Sequence, residues 1–388
     1  MNWTEPELEK YILKEFYWFH SHPELSWEEF ETTQRLRAAL TAADIRILDV
    51  PLHTGLIAEI GTGHAPIAAL RCDIDALPIQ EETELPYRSV KDGRMHACGH
   101  DFHTAAVLGT ALLLKQQEDS LAGTVRILFQ PAEEAASGAR EVLSTDALKD
   151  TSVIFGIHSS PLFPVGTVAL REGAVTAAVD RFSFTIRGKG THAAHPQNGI
   201  DPTVAAAAFV SAAQSVVSRN VDPFAANLVS ITHLESGSTW NVIPETAFIE
   251  GTTRTLKKED RQLVRQRLNE LAEYTARAYG CTLEAEWDPG LPATANDRFW
   301  TDFSVQEAQS SGLSTETAPA SLGGEDFALY QEQFPGTFVL IGTGLSASNH
   351  NPHFQVDPAA LLPTAHYLAR LTEHALAHIR KAAGEKRP

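Results

Sequence analysis

The sequence predicts an α/β fold, a central sheet with a smaller α+β domain inserted into it. Three observations predict it. Short apolar runs alternate with helical stretches towards both ends of the chain. Between about 180 and 290 the texture changes to strands with one polar face. The 388 residues also exceed what one core ordinarily fills, at roughly 150 residues per domain.

A first helix is expected over Glu5–His20, with Leu8, Ile12 and Phe16 on one face. The runs LIAEIG (56–61), PIAALR (66–71), TVRILF (124–129) and VIFGIH (153–158) read as strands, three of them continuous enough to be buried on both faces. TAAVLGTALLLKQQ (104–117) reads as a helix between them. From about 180, DRFSFTIRGKG alternates with period two. An Ala-rich helix over 201–219 follows, opened by Asp201 and Pro202. NLVSITHLESG, AFIEGTTRTL and CTLEAEW read as further strands, with a charged helix at 258–279 between the last two. DPGLPATAND reads as a link back, and a closing helix is expected from 358 to 383. The expected domains are therefore 1–179 with 290–388, and an inserted 180–289.

The charge balance excludes some partners. Asp and Glu number 49 against 31 Lys and Arg, a formal net charge of -18. Phosphate backbones repel such a chain, so no nucleic-acid partner is expected. No basic amphipathic segment suits an anionic membrane, and no run approaches the ~18 apolar residues of a span. MNWTEPELEKYILKEF lacks the apolar stretch of a signal peptide. Cys72, Cys98 and Cys281 show no C-x-x-C spacing, which argues against a disulfide framework. A soluble cytoplasmic protein is the expectation.

Polar density concentrates in a few segments near the ends of expected strands. RCDIDALP carries Asp73 and Asp75; MHACGHDFHT carries His96, Cys98, His100, Asp101 and His103; LFQPAEEAASGA carries Glu133 and Glu134; FGIHSSP carries His158; SNHNPHF carries His350 and His353. Open α/β sheets build sites outside the carboxyl ends of their strands. Cys98 and His100 stand two apart, so an extended backbone would turn both the same way. A thiolate with imidazoles suits zinc, or manganese, cobalt or nickel, better than magnesium or calcium. Glu134, His158 and His350 would complete two metal positions, leaving Glu133 to accept the proton of a water. Singly, each feature has a bland reading: a solvated Glu pair, a buried small Cys, turn aspartates before Pro78. Together they point to a metal site.

The motifs DIDALPIQEET, MHACGHDFHTAA, LFQPAEEAASGA, GKGTHAAHP, TWNVIPE, GTTR and GEDFALY, in this order, resemble the amidohydrolase branch of the aminoacylase/carboxypeptidase family of metal-dependent hydrolases. That branch includes N-acyl-amino-acid deacylases, N-acetyldiaminopimelate deacetylase and auxin-conjugate hydrolases. The resemblance implies an exopeptidase-like catalytic domain with a mixed sheet. It also implies an inserted lid of two helices on a four-stranded antiparallel sheet, through which the chain forms a homodimer or tetramer. It implies two divalent metals held by Cys98, His100, Glu134, His158 and His350, with Glu133 as general base and Asp75 orienting the site from behind. It further implies that His192 stabilises the oxyanion from a neighbouring subunit, and that Asn241 and Arg254 hold the substrate carboxylate. The activity implied is hydrolysis of N-acyl, above all N-acetyl, amino acids; a dipeptidase or carboxypeptidase would use the same machinery. Cys72 stands where the branch has alanine, and His353 is an additional histidine beside His350.

Overall fold

The computed structural model describes residues 3–385, and their contacts divide the chain into two compact units. The first runs up to Gly173 and adds Ala295–Pro319 and the described residues from Asp326 onward; the second comprises Ala174–Thr294 and Ala320–Glu325. No described helix is long and apolar enough to cross a membrane.

The first unit holds an eight-stranded mixed sheet. Edge to edge its strands are Arg46–Ile47, Leu56–Gly61, Thr124–Gln130, Ile67–Asp73, Val153–Ser160, Gly336–Gly342, Thr167–Leu170 and Ser314–Thr317. The four in the middle, from Thr124–Gln130 to Gly336–Gly342, run parallel, so their carboxyl ends leave the sheet at one edge. All seven residues of Ile67–Asp73 are buried, as a strand covered on both faces requires. Helices His100–Gln116 and Leu361–Glu385 pack on each other and against Ile67–Asp73, and helix Glu5–Ser21 packs on both. This last helix opens with a capping box, in which Thr4 and Glu7 satisfy each other's exposed groups. Leu8, Ile12, Phe16 and Phe19 bury one stripe of it, each worth about 1.5–3 kcal/mol.

The same helix delivers His20 into the interior. Its Nδ1 lies 2.6 Å from Asp101 Oδ2 and its Nε2 3.2 Å from Glu81 Oε1. Burial alone would lower the His20 pKa, but the hydrogen bonds and charges of the two carboxylates reverse this and raise it from 6.5 to about 9. Stability linked to this charge is therefore complete below the unfolded-state value of 6.5 and is lost as pH rises through about 9. Denaturant titrations at pH 6 and pH 9.5 should show the wild type losing on the order of 3 kcal/mol more than His20→Gln across that interval. Parallel pH profiles for the two proteins would remove this account.

The second unit is a four-stranded antiparallel sheet in the order Leu228–Ser236, Thr246–Thr255, Ala178–Arg187, Thr282–Pro289. Ala178–Arg187 turns Phe182, Phe184 and Ile186 inward. There they meet Ala205, Phe209 and Ala213 of helix Pro202–Arg219 and Val264, Leu268 and Ala272 of helix Lys258–Ala278. Asp201 caps the first of these helices by accepting the Thr203 N–H at 2.8 Å. The expected fold class, a mixed-sheet α/β domain with an inserted α+β domain of two helices on four antiparallel strands, is the fold observed.

Candidate metal centre

Gly99 shapes the first part of the site. Its φ is +86°, and a Cβ there would stand 2.4 Å from Ser159 Oγ, so only glycine fits. His100 is then the first residue of helix His100–Gln116. The stretch is thus not extended, as its two-residue spacing had suggested; a left-handed glycine followed by a helix start brings Cys98 and His100 together instead. Cys98, His100 and His158 offer ligand atoms that all lie within 4.8 Å of one another, as do those of Cys98, Glu134 and His350. A third group joins His100, Glu133 and Glu134.

Each ligand candidate is aimed by a specific contact. His100 Nδ1 lies 3.2 Å from Asp75 Oδ1, which leaves its Nε2 facing the cluster. Asp75 Oδ2 accepts the Glu134 N–H at 3.0 Å, so one carboxylate orients two members. The His158 Nδ1–H donates to the carbonyl of Ser159 at 2.7 Å, and its Nε2 lies 3.3 Å from Cys98 Sγ. His350 sits at φ +63°, held by its N–H on the Ala97 carbonyl at 2.8 Å, with its Nε2 3.3 Å from Glu134 Oε1. Glu133 and Glu134 occupy a turn in which Ala132 and Ala136 both take left-handed backbone, at φ +50° and +52°. That conformation costs about 1–2 kcal/mol per non-glycine residue.

Other side chains of the motif go elsewhere. Asp101 serves His20. His103 uses both nitrogens, Nδ1 on Asp73 Oδ1 at 2.5 Å and Nε2 as acceptor of the Ser159 N–H at 2.6 Å. Burial drives its pKa down to about 4, so it is a neutral support for the strand end that carries His158. His96 is likewise buried and lowered to about 4. His353 turns away, with Nδ1 3.1 Å from the carbonyl of Glu82 and Nε2 3.3 Å from its carboxylate. Cys72 is fully buried, its thiol pushed well above the usual range by desolvation, and it enters no ligand group among the described residues.

The electrostatics favour a cation. Two buried atoms aimed into the cluster make no well-formed hydrogen bond: His100 Nε2, and Glu134 Oε1, which has only the ion-pair approach of His350 Nε2 at 3.3 Å. Burial would raise the Cys98 thiol, but the neighbouring imidazoles of His158, His100 and His350 bring it to about 6, into thiolate at neutral pH. His350 is raised to about 10 by Cys98 and Glu134. Imidazoles driven towards the protonated form by surrounding anions mark a position that rewards positive charge. With N, S and O donors together, the residues fit a divalent metal of the zinc type.

The remaining expected site residues lie in the second unit. His192 is exposed and paired with Val242, and its Nδ1 accepts the Ala194 N–H at 3.1 Å. Asn241 adjoins it, its carbonyl taking the Ala193 N–H at 3.0 Å. Arg254 lies on strand Thr246–Thr255, its guanidinium donating to Thr252 Oγ1 and to the Thr253 carbonyl.

The chain resembles known proteins over most of its length. N-acetylcysteine deacetylase of Bacillus subtilis is 51% identical over 354 residues, 91% of this chain and 93% of that protein. An IAA-amino acid hydrolase of Arabidopsis thaliana is 38% identical over 365 residues, 91% and 83% of the two chains. The crystal structure of a dinuclear metal binding peptidase from Bacillus subtilis superposes with a TM-score of 0.89 at 45% identity, covering 96% of this chain and 99% of that one. Residues 69–374 match the family model described as Peptidase family M20/M25/M40. The chain belongs to that family.

Proposed function

We propose that this protein is a metal-dependent amidohydrolase that splits N-acyl amino acids into a carboxylate and a free amino acid. The observation that carries the reading is the convergence of Cys98 with His100 and His158 in one group and with Glu134 and His350 in another, where His100 Nε2 and Glu134 Oε1 are buried without a well-formed hydrogen bond. These five residues would hold two divalent ions, with zinc, manganese, cobalt and nickel as the candidates. Metals bound there lower the pKa of water and polarise the scissile carbonyl.

Glu133 stands beside Glu134 in the same turn and shares a group with His100. Its carboxylate accepts the proton of the attacking water and returns it to the departing nitrogen, so that the amine leaves neutral. Asp75 keeps the His100 ring and the Glu134 backbone in place through this exchange. In the same reading the second unit acts as lid and dimerisation domain. From it His192 would stabilise the oxyanion across a dimer, while Asn241 and Arg254 would hold the free α-carboxylate. Cytoplasmic location belongs to this reading as well.

N-acetyl-L-cysteine heads the substrate candidates, since a relative sharing half of the sequence carries that activity in its name. The solved relative is called a peptidase, which favours dipeptide cleavage as the second reading. Amino-acid release should be measured from N-acetyl-, N-benzoyl- and indole-3-acetyl-amino acids and from dipeptides. The protein should be stripped with chelator, then refilled with each of the four metals. Release from acyl amino acids that disappears on stripping and returns with metal is the expected result. Cleavage confined to dipeptides would replace the deacylase with the peptidase.

A further inference from the structure

The turn that bears Glu133 and Glu134 is held from a part of the chain that contributes no ligand candidate. Residues 24–29, ELSWEE, lead from the first helix to helix Phe30–Ala42. The Glu24 carboxylate caps that helix, accepting the N–H groups of Glu31 and Thr32 at 3.1 and 2.8 Å. The Glu29 carboxylate, although Glu29 is the residue preceding the helix, makes no cap bond to it. It points into the interior, fully buried, where Oε2 accepts the Thr54 hydroxyl at 2.6 Å and Oε1 accepts the Ala132 N–H at 2.8 Å. Ala132 is one of the two alanines in left-handed backbone at the catalytic turn. Left-handed backbone at a non-glycine residue persists only where its surroundings over-determine it, and this hydrogen bond is one of the constraints that do so.

The same segment grips the neighbouring loop. The Ala76 N–H donates to the Glu24 carbonyl at 2.8 Å, and Ser26 Oγ donates to Asp75 Oδ2 at 2.7 Å. That oxygen is the one that accepts the Glu134 N–H. Two loops from different strands, one carrying Asp75 and the other Glu133 and Glu134, are therefore tied to a single short stretch.

We propose that residues 24–29 form a positioning strap for the metal centre. Glu29 acts through the Ala132 backbone, and Ser26 acts through Asp75. This rests on the metal-centre reading above. Glu29 and Ser26 are positioning residues that touch neither substrate nor metal, and their work is to keep Glu133 and Glu134 facing the site.

The test is a zinc titration against a chromophoric competitor, run without substrate, together with kcat and KM for N-acetyl-L-cysteine. Glu29→Ala should weaken zinc binding and lower kcat by about 10–100-fold each, the usual loss when an outer support of a metal ligand is removed, with KM unchanged. Glu29→Gln keeps an oxygen for the Ala132 N–H, and Thr54 can accept from its amide, so it should restore both quantities nearly to wild type. Glu29→Ala with wild-type zinc affinity and kcat overturns the strap. So does a Glu29→Gln as defective as the alanine variant. If Glu29→Ala does not fold by circular dichroism, Ser26→Ala decides: weakened zinc binding supports the strap, and unchanged binding overturns it. A wild type that binds zinc but hydrolyses no acyl amino acid removes the deacylase reading, and the zinc affinities alone then judge the strap.

Discussion

Glu133→Gln leaves a folded, metal-loading protein whose kcat on acyl amino acids is about 10²–10⁴-fold lower, the loss that accompanies removal of a general base. The amide preserves the size of the side chain and an oxygen for the Asp326 N–H, which approaches Glu133 Oε1 at 3.4 Å. It cannot take a proton from water at neutral pH. Metal content measured beside kcat separates this role from ligation. Glu134→Gln should instead lower metal affinity, because Glu134 shares its group with Cys98 and His350. A Glu133→Gln protein that keeps more than about a tenth of the wild-type rate would not be compatible with a general base in this position.

The largest stability effect is expected deeper in the sheet. Arg71 is completely buried, with Nη1 2.6 Å from Asp73 Oδ2, Nη2 2.6 Å from Asp326 Oδ1 and Nε 2.9 Å from Gln130 Oε1. Tyr330 donates to the same Gln130 oxygen at 2.9 Å. Arg71→Leu matches much of the volume but leaves two buried carboxylates without their shared cation. Breaking a buried pair in this way costs about 3–5 kcal/mol. The thermal midpoint should drop by on the order of 10 °C, followed by circular dichroism or calorimetry. Arg71→Lys should recover only part, because its one ammonium nitrogen cannot stand at the three separate positions from which the guanidinium nitrogens reach Asp73, Asp326 and Gln130. A midpoint unchanged in Arg71→Leu would show that the network carries no stability. The effect should also reach the site, since Asp73 holds His103, and His103 takes the backbone N–H next to His158.

What the sequence made legible follows from how local each signal is. The runs at 56–61, 124–129 and 153–158 are strands because covered strands are mostly apolar, and the two charges among them, Glu59 and Arg126, pair with each other across adjacent strands at 2.8 Å. Helix Phe30–Ala42 escaped notice because its buried stripe is Thr32, Leu36 and Leu40, and a threonine in the first position dilutes the pattern. Helix His100–Gln116 begins four residues before its apolar stretch, since Gly99 and not hydrophobicity starts it. At the centre, the types of Cys98, His100, Glu134, His158 and His350 announced ligand chemistry. Spacing from Cys98 and the family resemblance set His100 apart from His103, but the physical difference lies in their contacts: both His103 nitrogens are satisfied, whereas His100 Nε2 faces the cluster. Ser26 and Glu29 carried no signal at all. A serine and a pair of glutamates before a helix are also the ordinary makeup of a solvated helix start, and their role exists only through contacts to residues 75 and 132.

The family match begins at residue 69, and the strap ends at residue 29. A chain trimmed to the matched span would keep every side chain assigned to chemistry while stranding Asp75 without Ser26 and the left-handed Ala132 without Glu29. Competence of this chain then rests partly on residues that never meet the substrate. A transplanted core of this chain should keep its activity only when residues 24–29 travel with it.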